Sequence, residues 1–291
     1  MQSLEGRASQ LLDCCCIDRC ALLERTFFGM KSMDKNELLE TLKRSILATE
    51  KTDFLKKLSE IGPCHQSVVF NDDFRIPGIW NPLHLSEMLF RGLPEDHWEG
   101  KRVLDLGANS GGLTLELMKR GARCVAVEYK REYYEQMMFW KKYFDISDDL
   151  LEVHHDTLFN SNKLGKFDIV LGLGLAYHFR NISSFLDYLH TITCTHFFIS
   201  TQLMAGDGLV AVNRKEFHPK SRLPVLGWHV TNNLFINMLE DSGFENIRVL
   251  DEDIAKCGWE SIPMGLTNNG YYFVEKNTNV IDFSAKNMKF L

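Results

Sequence analysis

The sequence predicts an α/β fold: a doubly wound, largely parallel sheet wrapped by helices and preceded by a helical extension. From Lys101 onward, strand-like runs alternate with amphipathic helical runs, as expected when helices cross over between parallel strands. The first of those strands breaks into the small-residue loop DLGANSGG at 105–112, which lets a ligand approach the backbone at the tip of the sheet. At 291 residues, 45% of them hydrophobic and 25% charged, the chain has room for one large α/β domain with additions or for two modest domains.

Residues 1–98 are expected to form the N-terminal helical extension and linker. Up to about residue 60, Leu38, Leu39, Leu42, Ile46 and Leu55 recur at helical spacing. From Ile61 to Trp98 the pattern loosens around Gly62-Pro63, IPGIWNP and LPED, which predicts a connecting segment rich in turn residues and aromatics. Within a domain spanning 99–277, strands are predicted at Arg102–Leu106, Arg123–Glu128, Leu151–His155, Phe167–Leu173 and His196–Thr201. Helices fit between them at Leu113–Arg120, Glu132–Tyr143 and Ser183–Thr191. Residues 202–231 match no single element and are expected to form a lid-like insertion. A helix at Asn232–Ser242, strands at Asn246–Asp251 and Tyr271–Glu275, and a C-terminal tail at 278–291 complete the chain.

With 33 basic and 39 acidic residues, the formal charge is -6, so no global positive field draws the chain to a phosphate backbone. No apolar run approaches the roughly 18–20 residues of a membrane span. Glu5 and Asp13 stand where a signal peptide would be basic and then apolar, so a cytoplasmic chain with no membrane association is expected. The eight cysteines do not have disulfide-framework spacing. In the CCCIDRC cluster, Cys16 and Cys20 lie one helical turn apart, which suits zinc or a lipid. With no second CxxC or histidine cluster beside them, the expectation is a reduced apolar helix face and no metal site. His154 and His155 are adjacent on a strand and point to opposite faces, so one ion is not expected between them.

Two acids narrow the ligand of the loop. Asp105, two residues before the first loop glycine, would repel a pyrophosphate but accept hydrogen bonds from an ammonium. Glu128 ends the second strand, where a carboxylate can take both ribose hydroxyls. Asn109 stands where such loops often have glycine, and Asn is among the few other residues that enter positive φ at modest cost. A nucleoside with a cationic amino-acid tail and no phosphates is S-adenosyl-L-methionine (SAM).

DLGANSGG, then VAVE, then FDIVLGLGLAYH resembles the run of motifs in class I SAM-dependent methyltransferases over about residues 100–275. That resemblance implies a Rossmann-like methyltransferase sheet. It also implies that Asp105, Gly107, Asn109 and Gly111 hold the methionine portion, Glu128 the ribose and Asp156 the adenine amine. Thr157 and Gly174 fall in with that cofactor set; as a separate reading, Asp156 is a simple turn former. Within the class, the IGPC segment, GLGLAYH, TQLMAGD and LEDSGFENIRV are similar to enzymes that carboxymethylate wobble uridine in tRNA. Their carboxylate trap implies a lysine, a tyrosine and an arginine. Here Tyr177 matches, while Ile61 and Asn269 replace the lysine and the arginine. A carboxylated cofactor left without those cations would cost several kcal/mol, so ordinary SAM is expected.

His178 and Tyr177 are the catalytic candidates, the imidazole as a base for a protonated nucleophile and the phenol beside the methyl group. A histidine bonded structurally beneath the loop is the alternative. Trp80, Arg214, His218 and Trp228 are candidate substrate residues, the tryptophans as pocket walls and the basic pair for an anionic acceptor. The expected activity is methyl transfer to an O or N nucleophile of a small molecule, and a homo-oligomer is open. The alternatives are tRNA wobble-uridine modification and a catalytically silent SAM-binding partner protein. A nicotinamide dehydrogenase is the weakest rival, because Asp105 opposes a pyrophosphate.

Overall fold

The computed structural model describes residues 33–43, 48–204, 208–213, 228–250 and 266–276. The cysteine cluster, Arg214, His218 and the 278–291 tail lie outside the described residues.

Helices α1 (Lys35–Lys43) and α2 (Ala48–Ile61) lead into a hairpin of β1 (Val68–Asn71) and β2 (Phe74–Ile76), followed by α3 (Leu83–Gly92). The main sheet begins with β3 (Arg102–Leu106), after which α4 (Gly112–Met118), β4 (Arg123–Glu128), α5 (Arg131–Tyr143) and β5 (Leu151–His155) alternate. Next come β6 (Phe167–Gly172), α6 (Ile182–Ile192) and β7 (Thr193–Met204). Short strands β8 (Ala211–Asn213) and β9 (Trp228–Val230) precede α7 (Asn232–Asp241), β10 (Phe244–Leu250) and β11 (Leu266–Lys276).

The sheet order is β10-β11-β7-β6-β3-β4-β5. Strands β3 to β7 run parallel, whereas β11 is antiparallel to β7 and to β10. The chain winds outward from β3 through β4 to β5, then returns to β6 on the other side of β3. The carboxyl ends of β3 and β6 therefore flank the switch point, where ligands of such sheets bind.

Side-chain alternation along the strands divides the core between the two faces of the sheet. Val103, Cys124, Ala126, Ile169, Leu171, Phe198 and Phe273 pack with α4, α5 and the N-terminal elements. Leu104, Val125, Val127, Val170, Phe197, Ile199 and Tyr272 pack with α6 and α7. Every residue of α4 is buried, including Glu116, because α3 and the β1–β2 hairpin cover the side that would otherwise face water. Glu116 is paired with Lys119 and Arg120, and Lys119 also donates to the carbonyl of Val69. Phe54 of α2 packs edge-on against Phe74 and Tyr143, joining the extension to α5.

The predicted strands and helices of the sheet fall where expected, with ends shifted by a few residues and β11 extended back to Leu266. The segment from Ile61 to Trp98 differs, since it contains a hairpin and a helix. Burial alternates along β1 and β2, and Asn71 Oδ1 accepts from Asp73 N at 2.9 Å across the turn. In α3, Leu85, Met88 and Leu89 supply a buried stripe that prolines and glycines on either side obscure in the sequence. At the two ends of the 202–231 insertion, β9 pairs with β7 at Leu203↔Val230 and with β8 in antiparallel fashion. No helix among the described residues is long and apolar enough to cross a membrane.

Candidate active site

The loop after β3 has the backbone that its glycines imply. Gly107, Asn109 and Gly111 have φ of 67°, 56° and 83°, all in the left-handed region. The amide tolerates a conformation that a branched side chain would resist, which accounts for Asn109 in place of glycine. Gly111 is constrained by packing as well, because an added Cβ would lie 2.6 Å from Trp140 Cζ2. Its lack of a side chain serves both the left-handed turn and the closure of α5 onto the loop.

A second layer holds the loop from behind. Trp140 Nε1 donates to the carbonyl of Ser110 at 2.8 Å, and Ser110 Oγ donates to Gln136 Oε1 at 2.9 Å. Gln136 Nε2 in turn donates to the carbonyl of Gly62 at 2.9 Å, and Gly112 N donates to Gln66 Oε1 at 3.2 Å. The IGPC segment thus braces the loop. Ile61 ends α2 and packs against the apolar cluster on this side of the sheet.

Glu128 is buried at the end of β4. Its Oε2 accepts from Asn109 N at 2.9 Å and its Oε1 from Lys130 N at 2.7 Å. Each oxygen keeps a lone pair, so the carboxylate is fixed in orientation yet still able to accept two hydroxyls. Asp105 lies deeper, 5% exposed, and its Oδ2 accepts from Thr114 Oγ1 at 2.6 Å. Burial pushes its pKa up to about 7; the Thr114 bond opposes the shift, and the charge of Glu128 adds to it. Two acids beside a glycine-bearing loop form a site that repels phosphate and favours a cation. Asn109 Oδ1 is buried without a hydrogen-bond partner, a further acceptor at the same place.

Asp156 is exposed, and its Oδ1 accepts from Thr157 N at 2.7 Å and Asn160 Nδ2 at 2.8 Å. Those bonds, Asn160 first, hold its carboxyl below the ordinary carboxylate range. Its turn-forming role is therefore visible, and its own N–H donates to the carbonyl of Glu128, which sets it and Thr157 beside the second acid. Tyr129, which follows Glu128, is 78% exposed. Its signal in the sequence is an aromatic directly after Glu128. His154 bonds Glu152, while His155 bonds the carbonyl of Tyr129 and stacks on Tyr134, so the neighbouring rings have different partners.

After β6, Gly174 has φ of 70°, and its N–H donates to Ser200 Oγ at 2.7 Å. Tyr177 and His178 follow in a 3₁₀ turn with ring centroids 4.3 Å apart, Tyr177 half-buried and His178 exposed at the rim. An added Cβ on Gly174 would meet the Tyr177 hydroxyl at 3.6 Å, and one on Gly107 would meet Leu175 at 3.0 Å, so the turns after β3 and β6 adjoin. The two tryptophans are not brought together. Trp80 packs with the core on the α4–α5 side, Trp228 with that on the α6–α7 side. Trp228 Nε1 donates to the carbonyl of Arg180, and its ring lines a pocket of about 460 Å³ with Ile182, Val230 and Met238. No residue of the 105–112 loop lines that pocket.

Sheet order, switch point and loop together give this chain the Rossmann-like fold of class I SAM-dependent methyltransferases. The N-terminal domain of EvdMO1, crystallised with S-adenosylhomocysteine (SAH) bound, has the same fold, with a TM-score of 0.58 at 20% identity over 78% of this chain and 97% of that one. YcgJ from Bacillus subtilis matches with a TM-score of 0.50 at 13% identity over 67% of this chain and 98% of its own. In sequence, the chain is similar to the tRNA U34 carboxymethyltransferase of Dichelobacter nodosus (strain VCS1703A), 32% identical over 111 residues. That match covers 37% of this chain and about a third, 35%, of the relative. No family model matches the chain.

Proposed function

We propose that this protein binds S-adenosyl-L-methionine and transfers its methyl group to an oxygen or nitrogen nucleophile of a small molecule. The observation that carries this reading is the pair of buried carboxylates, Asp105 and Glu128, held on either side of a left-handed loop. When bound, the cofactor supplies an electrophilic methyl group on a sulfonium. Glu128, already oriented by two backbone N–H groups, accepts the ribose hydroxyls. Asp105 and the Asn109 carbonyl oxygen accept from the ammonium, and Gly107 and Gly111 let the backbone follow the tail. Asp156 and Thr157 meet the adenine edge, with the Tyr129 ring beside it. Gly174 closes the methyl end of the crevice.

Since the displacement neutralises the sulfonium charge or passes it to the acceptor and creates none, alignment and exclusion of water supply much of the acceleration. Tyr177 packs at the methyl end, and His178 takes the proton of an acceptor that begins as a hydroxyl or an ammonium. Arg214, His218, Trp228 and Trp80 are proposed to act in acceptor binding, the two tryptophans from opposite faces of the sheet. Within the proposed 1–98 extension, the segment around Gly62 and Gln66 braces the loop, and the 202–231 insertion is proposed as a lid of the 99–277 domain. Calorimetric titration with SAM and SAH tests the reading, and absence of saturable binding to folded protein overturns it.

A second reading is favoured by the 111-residue similarity to a tRNA-modifying enzyme. On that reading the acceptor is wobble uridine, with Tyr177 retained and Ile61 and Asn269 departing from the carboxylate trap. Incubation of bulk tRNA with labelled SAM distinguishes the two, since label on a nucleoside would support the tRNA acceptor.

A further inference from the structure

On the α6–α7 side of the sheet, the pocket of about 460 Å³ has a lining of two kinds. Ile182, Val230 and Met238 with the Trp228 ring make an apolar part, and Arg180, Asn181 and Ser183 a polar one. Its volume lies in the range of small-molecule sites. The indole is fixed at the wall, because Trp228 Nε1 donates to the carbonyl of Arg180 at 2.7 Å. Asn181 is fixed as well: its Oδ1 accepts from Ser184 N at 3.1 Å, so the amide nitrogen is the end that can donate. Strand β9, which carries Trp228 and Val230, packs against the Ala176–His178 turn. The exposed His178 precedes Arg180 by two residues, at most about 7 Å of chain.

The polar part is cationic. Among the described residues Arg180 forms no ion pair, and a planar guanidinium takes a carboxylate through two parallel hydrogen bonds. The sequence of the insertion has the same sign: between the paired Asn213 and Trp228 stand Arg214, Lys215, Lys220 and Arg222 against Glu216 alone. The apolar part suits a ring, since an indole and a thioether both attract aromatic groups beyond the area they bury. An inorganic anion would leave that wall unused, and a neutral hydrocarbon would leave the guanidinium unused.

We propose that this pocket anchors the acceptor and that it takes an aromatic carboxylate, the ring against Trp228 and Met238 and the carboxylate on Arg180, with Asn181 and Ser183 as further donors. An acid anchored by Arg180 is held beside the turn that presents His178, the proposed base. This rests on the methyltransferase reading for the fate of the acid, but not for its binding. Arg180 is a specificity-determining residue here, acting on the choice of acceptor and not on the methyl group.

The test is binding of 4-hydroxybenzoate and 4-hydroxycinnamate, each against its primary amide, by saturation-transfer NMR and calorimetry, with and without SAH. Both acids are expected to bind with dissociation constants of about 1 mM or tighter, and each amide at least tenfold more weakly. Arg180→Gln should weaken the acids at least tenfold and leave the amides within twofold. Ala211→Phe, which fills the pocket from an exposed strand position, should weaken acids and amides alike. An unchanged melting transition, with SAH affinity within twofold of the parent, reports that both variants are folded. Amides binding as tightly as the acids, acid binding indifferent to either variant, or no acid binding at all would overturn the proposal. So would a dimer that Ala211→Phe dissociates, which would give the pocket to a second copy of the chain. Arg180-dependent acid binding without SAH binding would uphold the subsite and remove the methyltransferase reading instead.

Discussion

Replacing Asp105 by Asn should stabilise the unliganded protein while weakening its affinity for the cofactor. In the folded chain the carboxyl titrates at about 7 against an ordinary 3.8, because burial disfavours its charged form. Below the lower value both states carry the proton, and the group is neutral with respect to folding. Between the two values the folded state holds a proton that the unfolded state has lost, so stability falls as pH rises. The fall is roughly 1.4 kcal/mol per pH unit and totals roughly 4 kcal/mol by neutral pH, beyond which it levels off. The substituted amide does not titrate, and its carbonyl oxygen still accepts from Thr114. The difference in unfolding free energy between Asp105→Asn and the parent should therefore grow from about pH 4 to about pH 7 and stay constant above. Urea denaturation of both proteins across that range measures it. A difference that does not vary with pH would refute the buried, proton-holding acid. The same variant should bind SAH at least tenfold more weakly at pH 8, since a charge-assisted bond to the ammonium contributes about 1.5–3 kcal/mol.

Glu128→Gln puts an NH₂ group opposite either Asn109 N or Lys130 N, so SAH affinity should fall at least tenfold and stability by about 1–3 kcal/mol, read by calorimetry and denaturation. Asn109→Gly should leave stability within about 1 kcal/mol, because glycine adopts the same positive φ and the backbone donor to Glu128 remains. Gly111→Ala meets both a φ of 83° and the Trp140 ring, and should cost more than about 2 kcal/mol; an unchanged melting curve would contradict that packing. With an acceptor in hand, His178→Gln should lower kcat by about a hundredfold or more and remove the acid limb of the pH–rate profile, without changing SAH affinity. A proportional loss of SAH binding would instead mark a structural histidine.

Much of the sheet was legible because its strands are apolar runs of five or six residues ended by turn chemistry. RVLDL before GANSGG and RCVAVE before a helical run are the clearest. The hairpin and helix between Ile61 and Trp98 were not, because their apolar positions are few and lie among Gly62, Pro63, Pro77, Gly78 and Pro82, all loop formers in isolation. Only the covering of α4, a contact distant in sequence, makes them regular. At the site, Asp105, Glu128 and the turn at Asn109 followed from local chemistry. The packing constraint on Gly111 did not, since Trp140 lies a helix and a strand away. Nor did the juxtaposition of Gln202 with Asn269, which exists only through the pairing of β7 with β11. The two tryptophans resist pairing from sequence for the same reason: only the sheet decides which face each one meets.

The most direct test is calorimetric titration of the folded chain with SAM and SAH at about pH 8 and about pH 6. Saturable one-site binding of both is expected. It should be up to about tenfold weaker at the lower pH, because Asp105 must lose its proton to receive the ammonium. No saturable binding of either compound, or tighter binding of a nicotinamide dinucleotide, would contradict a site built for a nucleoside without phosphates.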